Sequence, residues 1–498
     1  MRAPLPPDRK PAVRHKSAIA CLLMLAAGAA VTAAGAPAAP GASTPSAEEV
    51  AVQLRDAAMA GHDVAYSWVS ELTSRFGPRP AGSANEHDAA EWAAARLKAL
   101  GFENVHIETF PITAWVRGPE HAEIVAPSVQ PLVVAALGES PPTPAAGLEG
   151  DVVIFPSFEA LKAAAPGSLN GKIAMVAYRM VRMQDGAGYG PGFAARADGP
   201  GEAARRGAIA YLLRSLGTDN HRIAHTGTTR YVDGRVPLPC FALSNPDADQ
   251  IERIAALGET VRVKLFSGAS YVTGAHSQDV VADVRGRDKS PGVVLIGGHL
   301  DSWDQGTGAI DDGTGTAIMV AAAKLIRDLP HKPRRTVRVV LFGSEEVAQP
   351  VAPFGAFGGH AYVDNHKAEL ATHVIAGETD FGADRVYGVA LPAAVANSDF
   401  ARTVARVLAP IGVLMAKEPA KGETDIGPSV EAGVPAFDLM QDGTRYFDIH
   451  HTPDDTLDKI DRQQLDQNVA AWAALVWLAA DSDVDFRAHA PAAAPQAQ

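Results

Sequence analysis

Apolar positions in the second half of the chain come in short runs that end in glycine or in a charged residue. The run Val293–Ile296 has the length of a buried strand; Gly297 and Gly298 close it, and His299 and Asp301 follow at once. Ten residues on comes Asp311-Asp312, then a Gly-Thr-Gly-Thr turn. From Thr316 to Leu329 the apolar residues Ile318, Ala322, Leu325, Ile326 and Leu329 fall at helical spacing. The pattern predicts strand, polar loop, helix, and open α/β sheets form their sites beyond such strand ends. The same α/β rhythm predicts strands at Val280–Val284, Thr336–Phe342, His373–Ile375 and Ala436–Met440, with helices between them. A last helix is expected over Arg462–Ala480, with a core-facing stripe of Leu465, Val469, Trp472, Val476 and Ala480.

The first part of the chain reads differently. Ser46–Met59, Asp63–Arg75 and Asn85–Leu100 have helical patterns, and Gly101 closes the third. Two Pro and two Gly within 76–83 separate the second helix from the third. Val105–Pro111 alternates as a strand does. From about residue 117 to 268, short strands alternate with Gly/Pro turns, at Leu132–Leu137, Asp151–Phe155, Ile173–Ala177, Ala208–Leu213 and Pro239–Leu243. One helix is expected there, Gly201–Arg206. This stretch predicts a mainly β domain inserted between two pieces of an α/β domain, 46–116 and 269–485.

Length, charge and termini refine this picture. A chain of 498 residues exceeds one core. A net charge of −13 argues against nucleic-acid binding through a basic face. Residues 1–36 read as an export signal: a basic start, an apolar stretch Ala18–Val31, and Ala34-Gly35-Ala36 as a cleavage site. No second run reaches membrane length, so a processed protein without a membrane segment is expected. Of the two cysteines, Cys21 lies in the signal, which leaves Cys240 and no internal disulfide. Residues 37–45 read as a disordered linker, and 486–498 as a disordered tail.

The chemistry concentrates after residue 290. Strand ends deliver Gly297-Gly-His-Leu-Asp301, then Gly343-Ser-Glu-Glu346, then Gly377-Glu-Thr-Asp380. A later loop adds Asp448-Ile-His-His-Thr-Pro-Asp-Asp455. Neutral imidazole and carboxylate are the ligands zinc accepts besides thiolate. A buried set of such carboxylates repels itself without a cation. Their convergence on one sheet edge implies metal, with two ions sharing one carboxylate. A lone His-x-Asp would carry no such weight, because a satisfied structural histidine is the commoner case.

The segments GGHLDSWDQGTGAIDDGTGTA, FGSEE, GETD and HHTPDDT together resemble the co-catalytic zinc exopeptidase family, and most closely its carboxypeptidase Q branch. The resemblance spans roughly residues 60 to 480. It implies a three-layer αβα zinc-exopeptidase (phosphorylase/hydrolase-like) fold. The run Pro200–Ile209 with its flanks resembles the protease-associated domain. The implied cofactors are two zinc ions per chain. Asp311 would bridge them, Glu346 and His451 would complete one site, and His299 and Asp380 the other. Glu345 would be the general base, and Asp301 would orient His299. Glu378 shares a strand side with Asp380 and stands as its alternative; His450 adjoins His451. A cis bond between Asp311 and Asp312 is also implied. The Pro/Gly-rich stretch 349–359 is longer than usual in the family and is expected to reshape the substrate pocket.

The expected function is hydrolysis of short peptides or dipeptides by an exported exopeptidase, with a homodimer implied by the family. Two alternatives share the fold: a single-zinc glutaminyl cyclase, and a receptor-like member without catalysis. The complete ligand set and the retained Glu345 weigh against the second. Metal content per chain separates the first.

Overall fold

Five strands form the sheet that carries the chemistry. In order across it they are Glu103–Val116, Ser270–Val284, Thr336–Phe342, Val293–His299 and His373–Glu378. The computed structural model describes residues 45–61, 63–288, 292–351 and 355–487. The expected export signal, the linker up to residue 44 and the tail from residue 488 lie outside them. The last three strands of the sheet run parallel to one another, and the first two are antiparallel additions. A single parallel bridge, Ala376 to Ala436, leads on to a smaller sheet of Val386–Ala390, Leu414–Met415 and Asp438–Gln441.

Alternation along these strands explains the layering. Val294, Ile296, Val337, Val339 and Leu341 point to one face. There they meet the helices Ala47–Met59, Asp63–Phe76, Ala84–Ala99, Thr314–Arg327 and Arg462–Ala480. Leu295, Val340 and Phe342 point the other way, against Tyr362, Ile426 and Val434. Side chains in a strand alternate faces, so both faces of a buried parallel sheet must be apolar. The expected single stripe on Arg462–Ala480 is too narrow. Every residue from Gln467 to Ala480 is buried. A helix enclosed on all sides needs apolar residues all round, and this one lies against both Ala47–Met59 and Thr314–Arg327.

The range 117–268 builds an eight-stranded sheet of its own. Four of the five expected strands are present there; the fifth, Leu132–Leu137, is two short strands, Gln130–Leu132 and Val134–Ala136, at opposite edges of the sheet. Glu120–Ala126 and Arg262–Ser267 join them, and so do helices Asn245–Ala256 and Tyr189–Arg205. The last runs well beyond the expected Gly201–Arg206, with Pro200 inside it. Its glycines and prolines read as breakers, but packing sets their use. A Cβ at Gly199 would lie 2.3 Å from the Tyr211 hydroxyl. That hydroxyl donates to Ala195 O at 2.7 Å. The expected tail boundary also shifts: Phe486 is buried against Phe400, and Arg487 donates to the carbonyls of Leu370, His373 and Gly433.

The eight-stranded sheet does not pack alone. One of its two apolar clusters takes in Trp303 and Val347 from the loops of the first sheet. Everything from Pro45 onward falls in one compact unit. No helix among the described residues is long and apolar enough to cross a membrane.

One buried acid ties the third helix to the first sheet. Glu86 accepts from Gly82 N at 2.6 Å and contacts the Ser277 hydroxyl. Burial, with the nearby charge of Asp301, pushes its carboxyl up to about 8. Between about pH 4.5 and 8 the folded protein therefore holds a proton that the unfolded chain has released, and stability falls as pH rises through that window. Glu86→Gln removes the titration and keeps the bonds. The melting temperature of the variant relative to the parent is expected to be higher at pH 8 than at pH 5 by about 2 °C or more. A pH-independent difference would contradict this.

Candidate metal centre

The site is assembled by strand register. His299 is the last residue of its strand and sits opposite Phe342, so the turn carrying Glu345 and Glu346 lies beside it. On the other side Gly297 pairs with Glu378, which brings Asp380 just past the same edge. The loop from Leu300 to Gly313 returns Asp311 and Asp312 beneath His299. Space there is minimal. A Cβ at Gly298 would lie 2.5 Å from Asp312 Oδ2, and one at Gly315 would lie 2.2 Å from both Asp312 oxygens. The Asp311-Asp312 peptide bond is cis, as expected.

Asp311 is the centre of the group. Its Oδ1 lies 3.1 Å from His299 Nε2, and its Oδ2 lies 3.3 Å from His451 Nε2. His299 Nε2 is also 3.4 Å from Asp380 Oδ1, and His451 Nε2 is 3.2 Å from Glu346 Oε2. Two clusters of imidazole and carboxylate thus share one carboxylate. Of the alternatives, Asp380 faces His299, whereas Glu378 Oε2 accepts from Ile426 N at 2.9 Å. His450 stacks on His451 with ring centres 3.5 Å apart, and its Nε2 is 3.7 Å from Asp311 Oδ2. His451 makes the two shorter contacts. Triads with ligand atoms within 4.8 Å of one another are Asp311/His450/His451, His299/Asp312/Asp380 and His299/Glu345/Glu346.

The donor set fits a metal. Asp311 Oδ2, Glu346 Oε1 and Asp380 Oδ1 are buried with no hydrogen-bond donor. Carboxylate oxygens left in that state are costly unless a cation takes them. Burial pushes Glu345 up to about 7, with the charges of Asp301 and Asp311 adding to it. Burial likewise raises Glu346 and Asp380. Asp311 goes the other way: the imidazoles of His299 and His451 facing it outweigh burial and hold it well below the usual range. Oxygen and imidazole nitrogen in this number are ligands that zinc accepts.

Asp301 acts differently from the expectation. It is the Asp301 backbone carbonyl, at 2.9 Å, that meets His299 Nδ1; its carboxylate is 3.7 Å away. That carboxylate instead accepts from the backbone N–H groups of Glu345 and Glu346, at 3.1 and 3.3 Å. It fixes the turn on which both glutamates sit.

Several supporting residues went unassigned in the sequence. Asp455 accepts from three successive backbone N–H groups, Ala309 at 2.8 Å, Ile310 at 2.6 Å and Asp311 at 3.3 Å. Arg79, fully buried, donates to the carbonyls of Leu300, Gly77, Thr307 and Gly308. The eight-stranded sheet reaches in as well. Thr226 O lies 3.2 Å from His451 Nδ1, and Arg196 Nη1 lies 3.4 Å from the same atom. Among the described residues no candidate ligand comes from 117–268. The only available signals were an arginine in a Pro/Gly break and a second acid after HHTP, and neither spacing points to a role. Of the stretch 349–359, Gln349 bonds the Thr113 backbone, and residues 352–354 lie outside the described residues.

Comparison with known proteins gives the family. The model of peptidase family M28 matches residues 279–476. Carboxypeptidase Q of Bos taurus is 34% identical over 84% of this chain and 85% of its own. The crystal structure of a peptidase M28 precursor from Shewanella amazonensis is 44% identical, with a TM-score of 0.86 over 90% of this chain and 99% of that one. A zinc aminopeptidase from Bacillus subtilis has the same fold at 20% identity, with a TM-score of 0.60 over 85% of this chain and 97% of its own. The chain belongs to peptidase family M28 and is a metallopeptidase.

Asp455 gives this arrangement a direct check. Asp455→Ala leaves three buried N–H groups without an acceptor beneath Asp311. It is expected to cost about 2–4 kcal/mol in urea unfolding at pH 7 and to weaken metal retention on dialysis. An unchanged unfolding midpoint would show that the loop holds itself.

Proposed function

We propose that this protein is an exported exopeptidase that hydrolyses short peptides at a centre of two zinc ions. One observation carries the reading: the two oxygens of Asp311 face two different histidines, each with its own further carboxylate. A single-ion site has no use for that symmetry. His299 and Asp380 would hold one ion, His451 and Glu346 the other, and Asp311 both. Bound there, two zinc ions would lower the pKa of water and polarise the scissile carbonyl.

The remaining work falls to the chain. Glu345 adjoins the ligand Glu346 but is partly exposed, and burial has already lifted its carboxyl towards neutrality. A carboxyl so poised takes a proton from the attacking water and gives it to the departing amine. Asp301 keeps that carboxyl in place by holding its backbone N–H. The eight-stranded sheet reads as the protease-associated domain, supporting His451 from outside and contributing no ligand. Residues 1–36 support export by their basic and apolar pattern. The family resemblance supports a homodimer, which light scattering would test.

Elemental analysis of the purified, zinc-equilibrated protein is expected to give about two ions per chain. About one ion in an active preparation would remove the two-ion reading and favour cyclase chemistry.

Glu345→Gln is expected to retain the fold and the metal and to lose kcat on dipeptides by about 10²-fold or more. Near-normal turnover would move the general base elsewhere.

A further inference from the structure

Beside the proposed centre, behind Asp380, lies a cavity of about 160 Å³ whose lining suits one kind of occupant. Its walls include Phe381, Tyr387, Leu439 and Met440, and its acids are Asp185, Glu378, Asp380 and Glu423. No Lys, Arg or His is among the lining residues described. Glu378 supplies a separate observation. The residue is 1% exposed, and while its Oε2 is held by Ile426 N, its Oε1 has no donor. A buried oxygen of that kind on a cavity wall is an acceptor waiting for a donor. Asp185 and Glu423, also on the lining, are exposed residues.

We propose that this cavity is a specificity pocket for a basic side chain of the peptide, that of lysine or arginine. The proposal rests on the peptidase reading above and names its substrate class. The apolar walls would cover the methylene stem, as apolar surfaces commonly do for long cationic side chains. The cationic head would donate to Glu378 Oε1, with Glu423 and Asp185 adding attraction at the mouth. Asp380 places the pocket next to the scissile bond. The free α-ammonium of a substrate is a second cation that acids of this kind attract, so the test must cancel it.

Lysine and norleucine differ in the terminal ammonium and share the α-amine and the stem. With the zinc-loaded protein, calorimetric binding of lysine is expected to be about tenfold tighter than that of norleucine. Cleavage of Lys-Ala against Nle-Ala, and of Ala-Lys against Ala-Nle, is expected to favour lysine by a similar factor in kcat/KM in one of the two positions, mostly through KM. Glu378→Gln, and separately Glu423→Gln at the exposed rim, are expected to shrink both ratios. The rim variant keeps the test valid if the buried one folds poorly. Equal binding of lysine and norleucine overturns the pocket, whatever the turnover. Tighter lysine binding with no turnover of any dipeptide overturns the peptidase reading and leaves the pocket standing.

Discussion

Asp311 must be held, unprotonated, between two imidazoles in a buried place. The imidazoles of His299 and His451 facing its two oxygens keep it ionised against burial. The rest of the edge serves that arrangement. Asp455 anchors three successive backbone groups leading into Asp311, and Asp312 caps both the His299 strand and the following helix through His299 N and Gly315 N. Arg79 collects the carbonyls of the same loop. These contacts use the backbone on both sides of one carboxylate, so its position is set by the fold.

Around it lies a dense group of acids whose carboxyls burial raises, among them Glu345, Glu346, Asp380 and Asp425. The protein groups around them leave oxygens of Asp311, Glu346, Glu378, Asp380 and Asp425 without a hydrogen-bond partner. In the reading proposed here a cation would answer that deficit, and Glu345 would be the acid of the set left free of the ligand role. The Asp301 carboxylate under the Glu345-Glu346 turn holds the backbone that carries both glutamates.

Residues of the second sheet's range, 117–268, touch the histidine pair, and among the described residues they supply no candidate ligand. Thr226 and Arg196 meet the outer nitrogen of His451, and His225, paired with Asp219, lies 2.8 Å from His450 O. The loop bearing the histidine pair is therefore seated by one sheet while its ring nitrogens face residues of the other. Trp303, from the site loop, packs into the second sheet's core and stands 5.6 Å from the His451 ring.

The sequence by itself determined the strand ends and what they deliver. Apolar runs closed by glycine gave the parallel strands, and the acids and histidines after them were legible because side chains at strand ends need no tertiary partner to be placed. Histidine–carboxylate motifs at this density also carry the family. Tertiary structure decided the rest. Whether Glu378 or Asp380 faces His299 turned on a backbone N–H of Ile426, which is 48 residues from Glu378. The roles of Arg79 and Asp455 depend on loops more than 140 residues away in sequence. Pro200 sits within a helix because that helix packs on Tyr211, against the local tendency of its glycines and prolines. Local pattern records what a residue prefers, whereas long-range hydrogen bonds and burial select which of its options is used.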